Sequence, residues 1–171
     1  MSDERRILRD ALGTFATGVT VVTAVATPDG NGQGEKSAAI GVTINSFNTV
    51  SLEPALVLWS LASKSKNLAC FAPGRAHNIH VLAREQEALA LHFADSRADK
   101  FSSLNYQLNA AGVPLLSGCL AHFECRTEMW HAGGDHIIII ARLERFAIFE
   151  GEPLLFYRGQ FKSISSTIGK K

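Results

Sequence analysis

The chain has 171 residues, of which 46% are hydrophobic, and its 17 basic and 16 acidic side chains leave a formal net charge of +1. This length suits a single domain over residues 1–171 with a substantial core, and the near-zero charge gives no sign of nucleic-acid binding. The sequence has no stretch typical of a membrane span or an export signal, so we expect a cytoplasmic protein. Cys70, Cys119 and Cys125 lack a C-x-x-C spacing, so we expect free thiols and no metal site.

The N-terminal half begins with a helix and continues in strands. Apolar residues at helical spacing predict an amphipathic helix over 3–17, ended by Gly18, and residues 19–26 are typical of a β-branched strand. The turn-rich loop 28–34 contains G-x-G-x-G, but a predicted strand at 37–42 follows where a dinucleotide-binding fold needs a helix, so we reject a Rossmann domain. Residues 41–61 are predicted as an apolar strand, a polar kink at 43–51 and a second apolar strand at 55–61.

The C-terminal half is also rich in strands. We predict short helices at 67–71 and 98–104, a longer helix at 84–94, and strands at 75–82, 120–130, 137–149 and 154–161, with turns at 133–134 and 151–153. Strands follow one another without regular crossover helices, so the sheet should be mainly antiparallel. The sequence therefore predicts a mainly β fold with a few α-helices, in which the sheet closes into a barrel to remove its edges.

The polar kink is the first candidate binding segment. Six hydrogen-bonding side chains lie there between two hydrophobic flanks: Thr43, Asn45, Ser46, Asn48, Thr49 and Ser51. Donors and acceptors gathered beside a strand edge suit a flat ligand rich in heteroatoms. The alternative is a Ser/Thr/Asn-rich connection that binds nothing.

The second candidate is the run Ser63-Lys64-Ser65-Lys66-Asn67, which follows a predicted strand and begins a short helix. Free N–H groups at a helix start, two hydroxyls and two ammonium groups together suit a phosphate. The alternative is N-capping by Ser65 with solvated lysines. A planar ring at the polar kink and a phosphate at this run would describe a flavin mononucleotide.

Histidines provide the remaining candidate chemistry. His136, after Gly134 and Asp135, begins a strand and could reach a ligand or a nicotinamide, or it could be an ordinary exposed histidine. His77 and His80 are three apart in a predicted strand, so they face opposite sides and lack an acidic partner for a metal. No G-x-S-x-G or H-E-x-x-H motif occurs, which favours chemistry carried by a cofactor.

Four segments taken together resemble a known family. They are residues 15–23 (FATGVTVVT), residues 43–59, Gly134-Asp135-His136, and residues 153–157 (PLLFY). In this order and spacing they resemble the short-chain flavin reductases, the reductase components of two-component flavin monooxygenases, from about residue 5 to residue 162. The segment His77-Asn78-Ile79-His80 departs from the family, whose members often have an aromatic residue and an amide there.

The resemblance implies an FMN-binding split β-barrel, usually a homodimer with flavin near the subunit interface. It implies hydride transfer from NADH or NADPH to FMN or FAD, after which the reduced flavin serves a separate flavin-dependent oxygenase. A carrier or sensor that binds flavin or haem in a split barrel without catalysis is the alternative function. No membrane and no nucleic acid take part in either.

The resemblance also assigns site residues by position. Those expected to line the isoalloxazine are Thr43, Asn45, Ser46 and Phe47, and those expected to approach the ribityl chain and phosphate are Ser60, Leu61, Ser63, Ser65 and Lys66. Lys100, in an Asp-Lys-Phe segment, is expected to add charge near the cofactor. His136 is expected beside the nicotinamide, and Tyr157 near the flavin or the pyridine nucleotide.

Overall fold

The computed structural model describes residues 3–26, 38–95 and 99–164. In this part of the chain the α-helices are α1 (Asp3–Leu12) and α2 (Glu87–Ala94), with 3-10 helices at Leu68–Phe71 and Arg84–Gln86. The strands are β1 (Thr17–Gly18), β2 (Thr20–Val25), β3 (Ala39–Ile44), β4 (Asn48–Leu52), β5 (Ala55–Ala62), β6 (Ala76–Val81), β7 (Tyr106–Leu108), β8 (Pro114–Leu116), β9 (Ala121–Gly133), β10 (His136–Ile148), β11 (Leu155–Tyr157) and β12 (Gln160–Lys162). The loop predicted at 28–34 lies outside the described residues.

The main sheet has seven strands in the order β3-β2-β6-β9-β10-β5-β4. A three-stranded sheet β1-β11-β12 and a two-stranded sheet β7-β8 complete the strands that the structure describes, and every pairing within them is antiparallel. The predicted mainly β, antiparallel class with a few helices is therefore confirmed. Although β3 and β4 lie at opposite edges of the main sheet, only residues 45–47 connect them.

Two hydrophobic clusters lie on either side of β2. Val22 packs in a cluster with Trp59 and Ile139, whereas Val21 packs in a second cluster with Phe93 of α2. Because alternate residues of a strand point to opposite faces, β2 is buried on both sides. This explains why its sequence is apolar or β-branched throughout.

The two histidines of β6 are buried on opposite faces of the sheet, as their spacing predicts. His77 accepts a hydrogen bond at Nε2 from the indole N–H of buried Trp59, at 3.3 Å. His80 accepts at Nε2 from the Leu116 N–H at 3.1 Å, which leaves Nδ1 to donate to the Val21 carbonyl at 3.0 Å. Burial lowers the pKa of each ring to about 4, so both are neutral structural groups.

The first predicted helix is too long at its C-terminal end. Instead of reaching residue 17, α1 ends at Leu12, and Thr17 and Gly18 pair with β11 as β1. The Thr14 hydroxyl donates to the Ala11 carbonyl at 2.7 Å, which satisfies a terminal carbonyl of the helix and competes with its continuation.

Three other predicted elements need correction. The predicted short helix at 98–104 is wrong for residues 99–104, because the Asp99 carboxylate accepts from the N–H groups of Phe101 and Ser102 and forms a turn; Ala98 lies outside the described residues. The last predicted strand is a hairpin, since Arg158 and Gly159 have φ of 49° and 75° and join β11 to β12. The polar kink contains a strand of its own, β4.

Candidate functional site

A cleft of about 240 Å³ lies where β3 ends, β5 ends and β10 begins. Six of the residues that line this polar cleft were predicted as site residues from the sequence: Thr43, Asn45, Ser46, Ser60, Leu61 and His136. The other three are Val42, Ile44 and Ala62. They come together because β10 pairs with β5 in a register that sets His136 opposite Ala62 and Ile138 opposite Ser60. The structure therefore joins the polar kink and the histidine strand in one site.

The hydroxyl of Ser46 holds the polar cleft together. It accepts from the Ser60 N–H at 2.9 Å and is 3.3 Å from the Ser60 carbonyl, to which it donates. This pair of hydrogen bonds fixes the connection between β3 and β4 against the C-terminal end of β5. Thr43 is similarly engaged, since its hydroxyl donates to the Ala90 carbonyl of α2 at 2.6 Å and leaves only its lone pairs for a ligand.

A second cleft of about 200 Å³ shares a wall with the first. This apolar cleft is bounded by Thr43, Ile44 and Asn45 on one side, and by Val19, Ala94, Phe156 and Phe161 on the others. The end of β3 is thus a partition between a cleft rich in hydroxyl and amide groups and one formed by aliphatic and aromatic side chains. Such a pair suits a flat ligand with one polar and one apolar part.

His136 contributes a half-exposed imidazole to the polar cleft. Its Nδ1 is 2.7 Å from the Asp135 carboxylate, which sets Nδ1–H as the donor and leaves Nε2 for a ligand. The hydrogen bond that the His136 ring donates is the largest of the effects that lower the pKa of Asp135 below its usual range. The carboxylate is therefore a permanent acceptor that orients the ring.

The segment predicted to bind a phosphate is hydrogen-bonded to the turn at Asp135. Ser63 donates to the Asp135 carbonyl through its N–H at 2.9 Å and its hydroxyl at 3.0 Å. The Ser65 hydroxyl accepts from the Asn67 N–H at 3.3 Å. Lys66, the residue between these two in the chain, is exposed. Ser63, Ser65 and Lys66 lie beyond the end of β5 but do not line the polar cleft, and the helix that follows is a single 3-10 turn.

Three other predicted site residues have different surroundings. Lys100 donates from Nζ to the carbonyls of Phe93 at 2.7 Å and Gly41 at 3.2 Å, and desolvation lowers its pKa. This ammonium caps the C-terminal end of α2. The Phe47 ring stacks on Phe123 with centroids 5.6 Å apart. Tyr157 lies in β11 next to Phe156, with the Arg158 guanidinium 5.4 Å from its ring centroid. None of the three lines either cleft.

Sequence reasoning missed the apolar cleft. Val19 and Ile44 lie in segments predicted as apolar strands, in which every residue looks like core, and Ala94 is the last residue of α2. Phe156 and Phe161 pack against each other with ring centroids 5.5 Å apart, across a hairpin that the sequence analysis predicted as one strand.

A larger cavity of about 330 Å³ lies at the far end of β10, beside Cys119, His122 and Phe149. It contains none of the predicted site residues, and burial raises the pKa of the Cys119 thiol to about 11, so this thiol is not a nucleophile.

Among residues 3–26, 38–95 and 99–164 no group of His, Cys, Asp and Glu could hold a metal ion. No helix in the described ranges has the length and apolarity to cross a membrane.

Comparison with known proteins identifies the family. A family model described as a flavin reductase like domain matches residues 12–165. The chain is 44% identical over 164 residues to the FMN reductase (NADH) SmoA of Agrobacterium fabrum, covering 95% of this chain and 88% of that protein. It is 36% identical to HsaB of Rhodococcus jostii, the reductase subunit of a flavin-dependent monooxygenase, covering 95% of this chain and 78% of HsaB.

A solved structure agrees with these matches. The NADH:FAD oxidoreductase SgcE6 of Streptomyces globisporus, described in complex with NAD and FAD fragments, superposes with a TM-score of 0.86 at 32% identity, covering 99% of this chain and 98% of that chain. The chain belongs to the flavin reductase like domain family, as the resemblance in its sequence indicated.

Proposed function

We propose that this protein is an NADH-dependent flavin reductase, which transfers hydride from the reduced nicotinamide to FMN or FAD. Its relative SmoA is named an FMN reductase (NADH), and HsaB is named the reductase subunit of a flavin-dependent monooxygenase. The observation that carries the proposal is the polar cleft, in which Asn45, Ser60 and His136 lie together next to an apolar cleft. After the hydride transfer, the reduced flavin leaves the protein and serves a separate oxygenase.

The chemistry of the two clefts fits a flavin. An isoalloxazine has a polar pyrimidine edge and an apolar benzenoid edge, which match the polar and apolar clefts on the two sides of Thr43–Asn45. We expect Asn45 and the backbone N–H groups of this corner to bind the polar edge. We expect Ser63, Ser65 and Lys66, which follow β5 beside the Asp135 turn, to bind the phosphate.

The protein's own groups position the reactants and exclude water. When bound, the flavin supplies the hydride acceptor, so no side chain has to form a covalent bond. His136, with its Nδ1–H held by Asp135, presents Nε2 as an acceptor for the amide N–H of the nicotinamide. Phe156 and Phe161 exclude water from the apolar cleft beside the ring. Donors near Asn45 stabilise the negative charge that develops on the polar edge.

We propose that the main sheet is a split barrel formed by one domain. The edge strands β3 and β4 are joined by residues 45–47, which span at most roughly 14 Å. A flat sheet of seven strands would hold its edges roughly 29 Å apart, so the sheet has to curl. The Ser46–Ser60 hydrogen bonds hold the connection between the two edge strands against β5, the neighbour of edge strand β4.

We propose that the protein is a homodimer. Five apolar side chains on the outer face of β5, β9 and β10 belong to neither hydrophobic cluster: Leu56, Leu58, Met129, Ile138 and Ile140. Strand register places them side by side, since Ile140 lies opposite both Leu58 and Met129. We call this set the outer sheet face, and a contiguous apolar face of this kind is typical of an interface.

We also propose a cytoplasmic localisation, which fits the three free thiols.

NADH oxidation is the decisive test. Purified protein is mixed with NADH or NADPH, each with added FMN or FAD, and the decrease in absorbance of the reduced nicotinamide is recorded under anaerobic and aerobic conditions. We expect turnover with NADH that depends on added flavin. Binding of flavin without NADH oxidation in any combination would refute the reductase and favour the carrier or sensor.

A further inference from the structure

The partition between the two clefts is the end of an edge strand. Thr43 and Ile44 end β3, and together with Asn45 they line both the polar and the apolar cleft. Within the main sheet β3 lies at an edge and pairs with β2. An edge strand has hydrogen-bonded support from one side of its sheet, so the position of the partition depends on what packs on β3 from outside the sheet. A displacement of this strand end changes both clefts at once.

Helix α2 packs directly against the backbone of β3. Gly41 lies two residues before Thr43, and a methyl group added at Gly41 would overlap the Phe93 ring of α2. A residue without a side chain is therefore required where helix and strand approach each other. The close approach also brings the last residue of the helix, Ala94, to the wall of the apolar cleft.

Two side chains join α2 to β3 by hydrogen bonds. The Thr43 hydroxyl donates to the Ala90 carbonyl at 2.6 Å. Lys100 donates from Nζ to the Phe93 carbonyl at 2.7 Å and to the Gly41 carbonyl at 3.2 Å. The Phe93 carbonyl is one of the last four of the helix, which have no partner within it. We call these three hydrogen bonds the α2–β3 clamp, in which a single ammonium group binds helix and strand at the same time.

The backbone of Lys100 is held in place independently of its ammonium group. The Lys100 carbonyl accepts from Nε2 of His92 at 2.7 Å. The next residue, Phe101, is buried and packs edge-to-face on Phe93 with ring centroids 5.2 Å apart. Because these contacts anchor the segment, removal of the ammonium group should release the end of β3 and leave the backbone around Lys100 where it is.

We propose that Lys100 is a positioning residue of the flavin site, which acts through β3 and not through its charge on the cofactor. Its ammonium group ties Gly41 to the end of α2 and thereby keeps the partition, Thr43–Asn45, in place for the flavin ring. This inference rests on the proposed flavin binding and adds to it a residue that lines neither cleft. A positioning role acts on the ring, so it affects every ligand that contains the isoalloxazine, with or without a phosphate.

Fluorescence titration of the full-length Lys100→Met variant with FMN and with riboflavin tests this role. Methionine is also unbranched and lacks the ammonium group. We expect the Kd for both flavins to rise about fivefold or more, with the ratio of the two Kd values within about twofold of the wild-type ratio. A rise for FMN alone would show that Lys100 acts on the phosphate through its charge, and would overturn the proposal.

Glu87→Gln is the matched control, because it changes the charge at the other end of the same helix. It should leave the Kd for both flavins as in the wild type. An effect as large as that of Lys100→Met would mean that any change of charge on α2 is sufficient, and the proposal would be wrong.

Two further measurements separate positioning from a loss of stability. At saturating FMN the visible absorption band of the bound flavin should move towards that of free flavin in Lys100→Met, because the surroundings of the ring change. Lys100→Arg, which retains a cation with several donors, should recover most of the wild-type affinity. A lower free energy of unfolding in urea, with unchanged flavin Kd and an unchanged absorption band, would show that Lys100 has a structural role alone and would overturn the proposal.

Thr43→Val tests the other side chain of the α2–β3 clamp. Valine lacks the hydroxyl that donates to Ala90, so this variant should also weaken FMN and riboflavin binding by equal factors. Combined with Lys100→Met it should weaken binding by less than the product of the separate effects, because both changes release the same strand end. Multiplicative effects would overturn the proposal. A wild-type protein that binds neither flavin would refute the proposed function itself, and the positioning role with it.

Discussion

Acidification should destabilise this protein through His77 and His80. Both rings are fully buried and neutral, and burial lowers the pKa of each from 6.5 to about 4. In the unfolded chain each ring takes up a proton near pH 6.5, whereas the folded protein resists protonation until about pH 4. The unfolded state therefore binds more protons in this range, and the free energy of unfolding falls as the pH falls from about 6.5 towards 4.

The size of the effect follows from the shift. Between pH 7.5 and pH 5.0 a group whose pKa changes from 6.5 to about 4 on folding loses about 2 kcal/mol of stabilisation, so two such groups lose about 4 kcal/mol. Domains are stable by about 5–15 kcal/mol in total, so this loss is large. Asp99 and Asp135 contribute little above pH 5, because their pKa values are lowered from an already acidic range.

Urea unfolding at pH 7.5 and pH 5.0, at fixed protein concentration and ionic strength, measures the difference. His80→Gln removes one titrating ring while its amide can replace both hydrogen bonds, to Leu116 and Val21, so the pH effect should fall by about half. The matched control is His131→Gln, which changes an exposed histidine and should leave the effect as in the wild type. A wild-type difference below about 1 kcal/mol, or an unchanged difference in His80→Gln, would refute the reasoning.

Three further variants test individual contacts. Gly41→Ala places a methyl group against the Phe93 ring and should lower the free energy of unfolding by about 1–3 kcal/mol; Gly18→Ala, where the methyl group meets no atom within 4 Å, is the control, and equal stability of the two variants would contradict the packing argument. Lys66→Gln should raise the Kd for FMN about threefold in fluorescence titrations and leave riboflavin binding unchanged; an equal change for both would exclude the phosphate contact. His136→Gln should raise the KM for NADH up to about tenfold with an unchanged Kd for flavin, and parallel losses would argue against a role at the nicotinamide.

The sequence predicts best where one local pattern decides the structure. The β-branched run of β10 and the spacing of His77 and His80 were sufficient, because strand periodicity alone sets which face a side chain occupies. The turn between β11 and β12 was missed because Arg158 adopts a left-handed conformation that a non-glycine residue rarely takes. No local pattern marks such a residue as a turn.

A sequence motif does not show what the side chain of a predicted site residue contacts in the folded protein. Lys100 was expected to bring charge to the cofactor, yet its ammonium is bonded to the carbonyls of Phe93 and Gly41 at the end of α2. A sequence motif gives the residue type and its place in the chain, but not which carbonyls a long side chain will meet. The same holds for Phe47, whose ring packs on Phe123 rather than in a cleft.

Strand order explains why the polar cleft forms at all. The corner residues Asn45, Ser46 and Phe47 join two strands that are neighbours in the chain but lie at opposite edges of the sheet. This corner lies near the end of β5, where Ser46 binds Ser60, and β10 adds His136 through its pairing with β5. Because strand pairing far along the chain creates the site, a substitution such as Ser46→Ala should widen the corner and weaken flavin binding even though the hydroxyl contacts only protein. Unchanged flavin affinity in that variant would show that the corner is held by the strands alone.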